Sequence, residues 1–319
     1  MSTIRGTSSS WREWTILYED LKFPDGSLLG KGRFGEVHRA YWHQDVAIKL
    51  LNMDHVNDDR QLETFKQEVS TFRHTRHENL VLFVGCCLIP PRLGIVMNLC
   101  KGQTLYTHIH WRRDRFDMNK IINIAIQLCQ GMSYLHGKKI VHKDFRTKNI
   151  FVEANNKPVI TDFSIFSVKR LCQTSPHDFD IKGLYVPERW LCYLSPELSR
   201  MLKTWTSFQQ VEELPFNEAS DVYSFGTVWY ELLTYEFPYK KLFTDAIIWQ
   251  CCKGIKPGLT NLTVAKEIKD VLVQCWTYKP GERPNFHQLL KTFEKLPRKR
   301  LERSPSQPVH LSRSAESIF

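Results

Sequence analysis

His142-Lys143-Asp144-Phe145-Arg146-Thr147-Lys148-Asn149, followed by Asp162-Phe163-Ser164, is the stretch that decides the fold. Asp144 offers a carboxylate that can accept and orient a hydroxyl proton. Asn149 and Asp162 offer hard oxygen atoms of the kind magnesium prefers. An Asp-Phe pair alone means nothing, so the weight lies in what surrounds this stretch and in what order.

Upstream lies Gly30-Lys31-Gly32-Arg33-Phe34-Gly35-Glu36-Val37. Its three glycines let backbone N–H groups approach phosphates where a Cβ would intrude. Alone the pattern is weak, since glycines often mark only a turn. Val46-Ala47-Ile48-Lys49 follows, an apolar run that ends in a cation able to meet phosphate. Ala47 would leave room for an adenine ring, and Lys49 would bind the α- and β-phosphates of a nucleotide. Such a lysine needs a carboxylate to hold it. Glu68, on a helical pattern with Phe65 and Phe72, is the candidate, with Glu63 as the fallback. Downstream, Ser195-Pro196-Glu197 closes a long segment, and Asp221 opens Asp-Val-Tyr-Ser-Phe-Gly, expected to anchor the 142–149 loop from a central helix. Glu197 is expected to pair with Arg283 in a buried ion pair.

Composition sets the bounds. The chain has 319 residues, 42% hydrophobic and 24% charged, enough for a sizeable core. No run approaches the roughly 18 apolar residues of a membrane span, and the Ser/Thr-rich start lacks an apolar secretory region. The nine cysteines show no Cys-x-x-Cys spacing, which disfavours zinc and disulfide frameworks and suits a reducing compartment. The net charge of +10 is spread along the chain, and no nucleic-acid module accompanies it.

Residues 1–21 read as a leader containing Trp11 and Trp14. Residues 22–97 alternate short strand-like runs with one helical stretch, about 59–74, carrying Leu62, Phe65, Val69 and Phe72. Residues 98–100 form a hinge, and 101–297 are mainly helical, with buried helices expected over 121–136 and 221–234. Residues 298–319, rich in Arg, Ser and Pro, read as a disordered tail. The expected fold is therefore α+β and bilobal, with a small β-rich N-lobe, a larger helical C-lobe and the motifs at their junction.

Over about 22–297 the ordered motifs resemble the protein kinase family. Arg76-His77-Glu78-Asn79 and Cys100-Lys101-Gly102-Gln103-Thr104-Leu105-Tyr106 look Raf-like. Trp190-Leu191-Cys192-Tyr193-Leu194-Ser195-Pro196-Glu197, Leu214-Pro215-Phe216 and Ala246-Ile247-Ile248-Trp249-Gln250 resemble kinase suppressor of Ras more narrowly. That family resembles Raf and acts chiefly as a scaffold for Raf and MAP kinase kinase. The resemblance implies catalytic roles for Asp144, Lys49, Glu68 and Arg146, and magnesium at Asn149 and Asp162. It implies ATP against Gly30, Lys31, Gly32, Arg33, Phe34, Gly35, Val37, Ala47, Lys49, Met97, Asn98 and Cys100. Met97 would be the gatekeeper, and Phe72, Phe83, His142 and Phe163 a spine stacked between the lobes.

Four departures matter. Vertebrate kinase suppressors of Ras usually carry arginine where Lys49 stands. Lys143 replaces an arginine whose planar fork grips an activation-segment phosphate in many kinases; lysine is a flexible point charge. Ser164 replaces a glycine and reaches left-handed φ at greater cost. Arg146 replaces a lysine near the γ-phosphate. The reading is an ATP-binding, kinase-like scaffold of the Ras–Raf–MAP kinase cascade with weak or absent phosphotransfer; the alternative is an active Ser/Thr or dual-specificity kinase. Expected partners are Raf, side to side through Arg76; a MAP kinase kinase on the helix near Thr244–Cys252; and 14-3-3 at phosphorylated Ser306, in Arg303-Ser304-Pro305-Ser306-Gln307-Pro308. Localisation is expected to be cytoplasmic, with signal-dependent recruitment to the plasma membrane. Neither nucleic acid nor an integral membrane segment is expected.

Overall fold

The computed structural model describes residues 9–32, 35–51, 62, 65, 66, 69, 70, 72–89, 92–163, 189–202, 214–240, 242–259 and 262–296. The N-terminal half builds a five-stranded antiparallel sheet, ordered β1-β2-β3-β5-β4: Leu28–Gly32, Gly35–Trp42, Gln44–Leu51, Gly94–Asn98 and Phe83–Cys87. The period-two alternation of β3 decides what each face does. Val46 and Ile48 are fully buried beneath Ile16, Leu21, Cys87 and Val96 on one face. Ala47 turns to the other face, which joins the main core through Ile95 and Met97. Lys49, two residues on, shares Ala47's side of the strand.

Residues 62, 65, 66, 69, 70 and 72 are helical, and Phe65, Val69 and Phe72 are buried. Glu68 and Glu63 lie outside the described residues, as do Arg33, Phe34, Ser164 and Ser306. Residues 11–21, ahead of the domain start expected at 22, pack onto the sheet. Ile16 N–H donates to Cys86 O at 2.9 Å, Cys86 N–H donates to Trp14 O at 2.8 Å, and the Trp14 ring lies 5.6 Å from that of Phe83.

A small sheet, β6-β7-β8 (Gln103–Thr104, Ile150–Glu153, Lys157–Ile160), carries the loops at the lobe junction. Backbone bonds from Ile160 N–H to Asn79 O (2.8 Å) and Val81 N–H to Ile160 O (2.9 Å) tie β8 to the segment following the helical stretch. That link brings Asp162 and Phe163 beside Phe72.

Helices make up the remainder: α1 (Ser9–Arg12), α2 (Met118–Gly137), α3 (Pro196–Ser199), α4 (Glu218–Thr234), α5 (Thr244–Lys253), α6 (Lys266–Cys275) and α7 (Phe286–Glu294). Asp117 caps α2 by accepting from Lys120 N–H, and Asn217 with Ser220 forms a capping box on α4. α4 is buried on most of its faces, including Asp221, Phe225, Val228, Trp229 and Glu231. The α+β architecture is the one expected from the sequence.

One expectation needs correction. The helix near Thr244–Cys252, expected to dock a MAP kinase kinase through its apolar residues, does not offer all of them: Ile247 is 5% exposed and packs with Trp190, Leu191, Leu194 and Leu198. The helix spends its Ile247–Cys251 stripe on the core, because residues four apart share one face. The exposed apolar side chains are instead Phe243, 89% exposed, and Trp249, 57% exposed.

Candidate active site

Lys49 and Asp162 meet across the lobes. Lys49 Nζ donates to Asp162 Oδ1 at 2.7 Å. Burial pushes the Asp162 carboxyl up, but the ammonium of Lys49, helped by Arg146, outweighs it and holds the group below the ordinary carboxylate range. Asp162 sits at φ 59°. Left-handed backbone costs a non-glycine residue on the order of 1–2 kcal/mol, least for Asp and Asn, and such strain gathers at functional sites.

The loop around Asp144 is fixed from beneath. The Asp221 carboxylate accepts from the backbone N–H of His142 at 2.8 Å and of Lys143 at 3.0 Å, and lies 2.9 Å from His136 Nε2. These bonds hold Lys143 at φ 72°. His142 is buried, which lowers its pKa and keeps the ring neutral. The Asp144 N–H donates to His142 Nδ1 at 3.3 Å, placing the imidazole proton on Nε2.

The Asp144 carboxylate is crowded. Oδ2 accepts from Asn149 Nδ2 at 2.8 Å, and Oδ1 accepts from the Trp190 indole N–H at 3.1 Å. Arg146 Nε lies 3.1 Å from the same Oδ1 as an ion pair, yet its N–H finds no acceptor with hydrogen-bond geometry among the described residues. Trp190 is 3% exposed and opens a 3-10 turn, Trp190–Tyr193, pinned to α4 by Thr227 Oγ1 on Cys192 O (2.8 Å) and Ser224 Oγ on Tyr193 O (2.9 Å). The sequence reading gave Trp190 no role. Its position just ahead of Ser195-Pro196-Glu197 was visible, but no sequence spacing aims an indole at Asp144.

Asn149 is oriented for a second duty. Its Nδ2 is spent on Asp144 O and Oδ2, leaving the amide oxygen as the atom available to a cation. Thr161 N–H donates to Asn149 O at 2.9 Å, which sets Asp162 close by in the fold. Among the described residues no cluster of three or more His, Cys, Asp or Glu side chains could hold a metal. One amide and one carboxylate oxygen suit a magnesium that draws its other ligands from phosphate and water. The residues present therefore fit a nucleotide with magnesium.

The nucleotide-side residues line one edge of this junction. Gly30, Lys31 and Gly32 end β1, and Gly35 and Val37 begin β2. Gly35 has φ 141°, which favours glycine, and a Cβ built on Gly30 would meet nothing within 4 Å. Lys31 pairs with Glu36 at 2.9 Å across that hairpin, on the surface. Met97, 6% exposed, pairs in register with Ala47, and Asn98 ends β5. Cys100 is half-buried, and burial pushes its thiol up to about 12, so it stays protonated.

The aromatic column is continuous. Phe72 stacks on Phe163 with centroids 4.4 Å apart, Phe83 meets Phe72 edge-on at 5.7 Å, and His142 lies 6.2 Å from Phe163. Below the site, Arg283 grips Glu197 with two parallel bonds of 2.7 Å and spends its other donors on Ala219 O, Thr277 O and Tyr278 O. Burial raises the Glu197 carboxyl, but Arg283 outweighs it, and the group ends below its ordinary value. No helix among the described residues is long and apolar enough to cross a membrane.

Comparison with known proteins agrees with this geometry. The protein tyrosine and serine/threonine kinase family matches residues 25–293. The chain is 44% identical over 310 residues to Kinase suppressor of Ras 2 of Mus musculus, covering 97% of this chain and 31% of that protein. It is 42% identical over 325 residues to Kinase suppressor of Ras A of Caenorhabditis elegans, covering 100% of this chain and 42% of that protein. It thus spans less than half the length of these two relatives. A nucleotide-type cleft between a five-stranded sheet and a helical lobe, with its motifs in order, places the chain in the protein kinase family, similar in sequence to the kinase suppressors of Ras.

Proposed function

We propose that this domain binds ATP and magnesium and serves as a scaffold of the Ras–Raf–MAP kinase cascade, with weak or absent phosphotransfer. The observation that carries the catalytic half is the occupied Asp144 carboxylate. Asn149 and Trp190 bond to it and Arg146 pairs with it, so a substrate hydroxyl competes with donors already in place. The cascade assignment is supported by likeness to proteins named kinase suppressor of Ras. ATP would lie against Gly30, Ala47, Lys49 and the Met97–Cys100 hinge, with magnesium at Asn149 and Asp162. When bound, the metal neutralises phosphate charge.

The partner reading assigns Raf to the surface around exposed Arg76 and a MAP kinase kinase to α5, now through Phe243 and Trp249. It assigns 14-3-3 to phosphorylated Ser306, in a cytoplasmic protein recruited to the plasma membrane on signalling. A phosphopeptide spanning 300–310 is expected to bind 14-3-3 and its unphosphorylated twin is not; equal, negligible binding of both ends that assignment.

A second reading, an active Ser/Thr or dual-specificity kinase, is favoured by one observation: Lys49, Asp162, Asn149 and Asp144 are all present and brought to the same junction. Phosphate transfer by the purified chain, stripped of copurifying Raf and MAP kinase kinase, separates the two. The scaffold reading expects ATP binding with transfer no greater than in Asp144→Asn. Robust transfer lost in both Lys49→Met and Asp144→Asn overturns it.

A further inference from the structure

Beside Asp144 a pocket of roughly 360 Å³ opens on the C-lobe. Among the described residues its charged lining is cationic: Arg146, Lys148 and Arg189. Its other described walls are aromatic, from Tyr106, Trp190, Tyr193 and Phe237, and no described lining residue is acidic. Two of the cations, Lys148 and Arg189, are held in place without being neutralised. Lys148 Nζ stands 4.6 Å over the Tyr106 ring, and Arg189 Cζ stands 4.6 Å over the Phe237 ring. Among the described residues neither has a carboxylate within ion-pair distance. Arg146 is paired with Asp144, but its buried Nε–H lacks an acceptor.

Two carboxylates border the pocket and both are already engaged: Asp144 pairs with Arg146 and accepts from the Trp190 indole N–H. Glu231, on α4, is committed to other groups: His110 Nε2 at 2.6 Å, Thr147 Oγ1 at 3.1 Å and the Tyr193 hydroxyl. His110 in turn stacks on Phe237, with centroids 4.0 Å apart and planes 5° from parallel. The floor is thus a satisfied, rigid network, and the free donor capacity points to an incoming anion. Guanidinium and ammonium groups above aromatic faces provide phosphate recognition and ring stacking in one place.

We infer that this pocket binds a phosphorylated aromatic side chain, a phosphotyrosine, presented on an extended peptide of a partner. Phosphate takes the N–H groups of Arg146, Lys148 and Arg189, and the ring lies against Trp190 and Phe237. A carboxylate side chain matches the charge of the pocket less fully, because it carries a single charge and two oxygens, and phosphoserine leaves the aromatic walls unused. The inference goes beyond the scaffold reading and does not require the chain to transfer phosphate.

The test uses the full chain and isothermal titration with the peptide Ala-Ala-pTyr-Ala-Ala, its unphosphorylated twin, the phosphoserine equivalent and inorganic phosphate. Lys148→Ala with Arg189→Ala, both exposed positions, is the variant, with melting temperature and ATP binding as controls. The phosphotyrosyl peptide is expected to bind most tightly, to weaken with added salt, and to lose at least about ten-fold in affinity in the double variant, the effect of one charge-assisted hydrogen bond. ATP affinity is expected to hold. No saturable binding of the phosphotyrosyl peptide, or equal affinity in wild type and variant, overturns the site. Equal affinity for phosphoserine peptide or inorganic phosphate overturns its aromatic assignment. Failure here leaves the nucleotide and cascade readings intact, since those are read by ATP binding and phosphate transfer.

Discussion

Trp190→Phe is the substitution that most directly probes why Asp144 is idle in the proposed reading. It removes one N–H and keeps an aromatic ring on the turn that Thr227 and Ser224 hold against α4. The bond removed is 3.1 Å long, buried, and accepted by a carboxylate. A hydrogen bond to a charged group contributes about 1.5–3 kcal/mol. If a substrate hydroxyl has to displace that bond to reach Asp144 Oδ1, its loss lowers the barrier by up to that amount, a gain of about ten- to one-hundred-fold at roughly 1.36 kcal/mol per decade. The smaller ring leaves some space beside Leu191 and Leu198, at less than the roughly 3–5 kcal/mol of a full truncation to alanine. The assay is transfer of labelled γ-phosphate by purified protein freed of Raf and MAP kinase kinase, with ATP affinity and melting temperature measured alongside. Trp190→Phe combined with Asp144→Asn is expected to return transfer to background. If Trp190→Phe folds, binds ATP as before and transfers no faster, the indole is not what restrains Asp144.

Other expectations follow from single contacts. Arg283→Ala strands the Glu197 carboxylate below the site and is expected to cost roughly 3–5 kcal/mol in chemical denaturation; a loss under about 1 kcal/mol means the pair is dispensable. Because Glu197 has a folded pKa below its ordinary 4.5, its contribution is fully present above that pH. It disappears as pH falls through the lower folded value, so the stability gap between Arg283→Ala and wild type is expected to narrow as pH drops below about 4.5, leaving the share that Arg283 contributes through Ala219 O, Thr277 O and Tyr278 O. Arg76→His is expected to abolish Raf association while sparing ATP binding, and unchanged Raf activation in a reconstituted assay contradicts the assignment. Phe243→Ser with Trp249→Ser is expected to weaken capture of a MAP kinase kinase without lowering the melting point, whereas Ile247→Asp is expected to unfold α5 from its seat; full capture by the serine double variant removes the docking face.

Much was legible in the chain because it is written in local chemistry. The spacing of Leu62, Phe65, Val69 and Phe72 gives a helix with one buried face. Ionic and amide groups in a fixed order, Lys49, Asp144, Asn149, Asp162, Glu197, Asp221 and Arg283, carry the resemblance to the protein kinase family, and it is that resemblance that implies a nucleotide cleft. The tertiary structure decided what no local pattern encodes. Trp190 and Asp144 are 46 residues apart, and Lys49 and Asp162 are 113 apart; both contacts depend on how whole elements dock. Ile247 and Trp249 are two positions apart on one helix, equally apolar, and only the turn at 190–194 beneath α5 settles that the first is core and the second surface. The cationic pocket gathers Tyr106, Arg146, Arg189 and Phe237 from four separate segments. A sequence orders residues along a line, whereas a binding site is a place where distant parts of that line are held within a few ångströms by the burial of everything behind them.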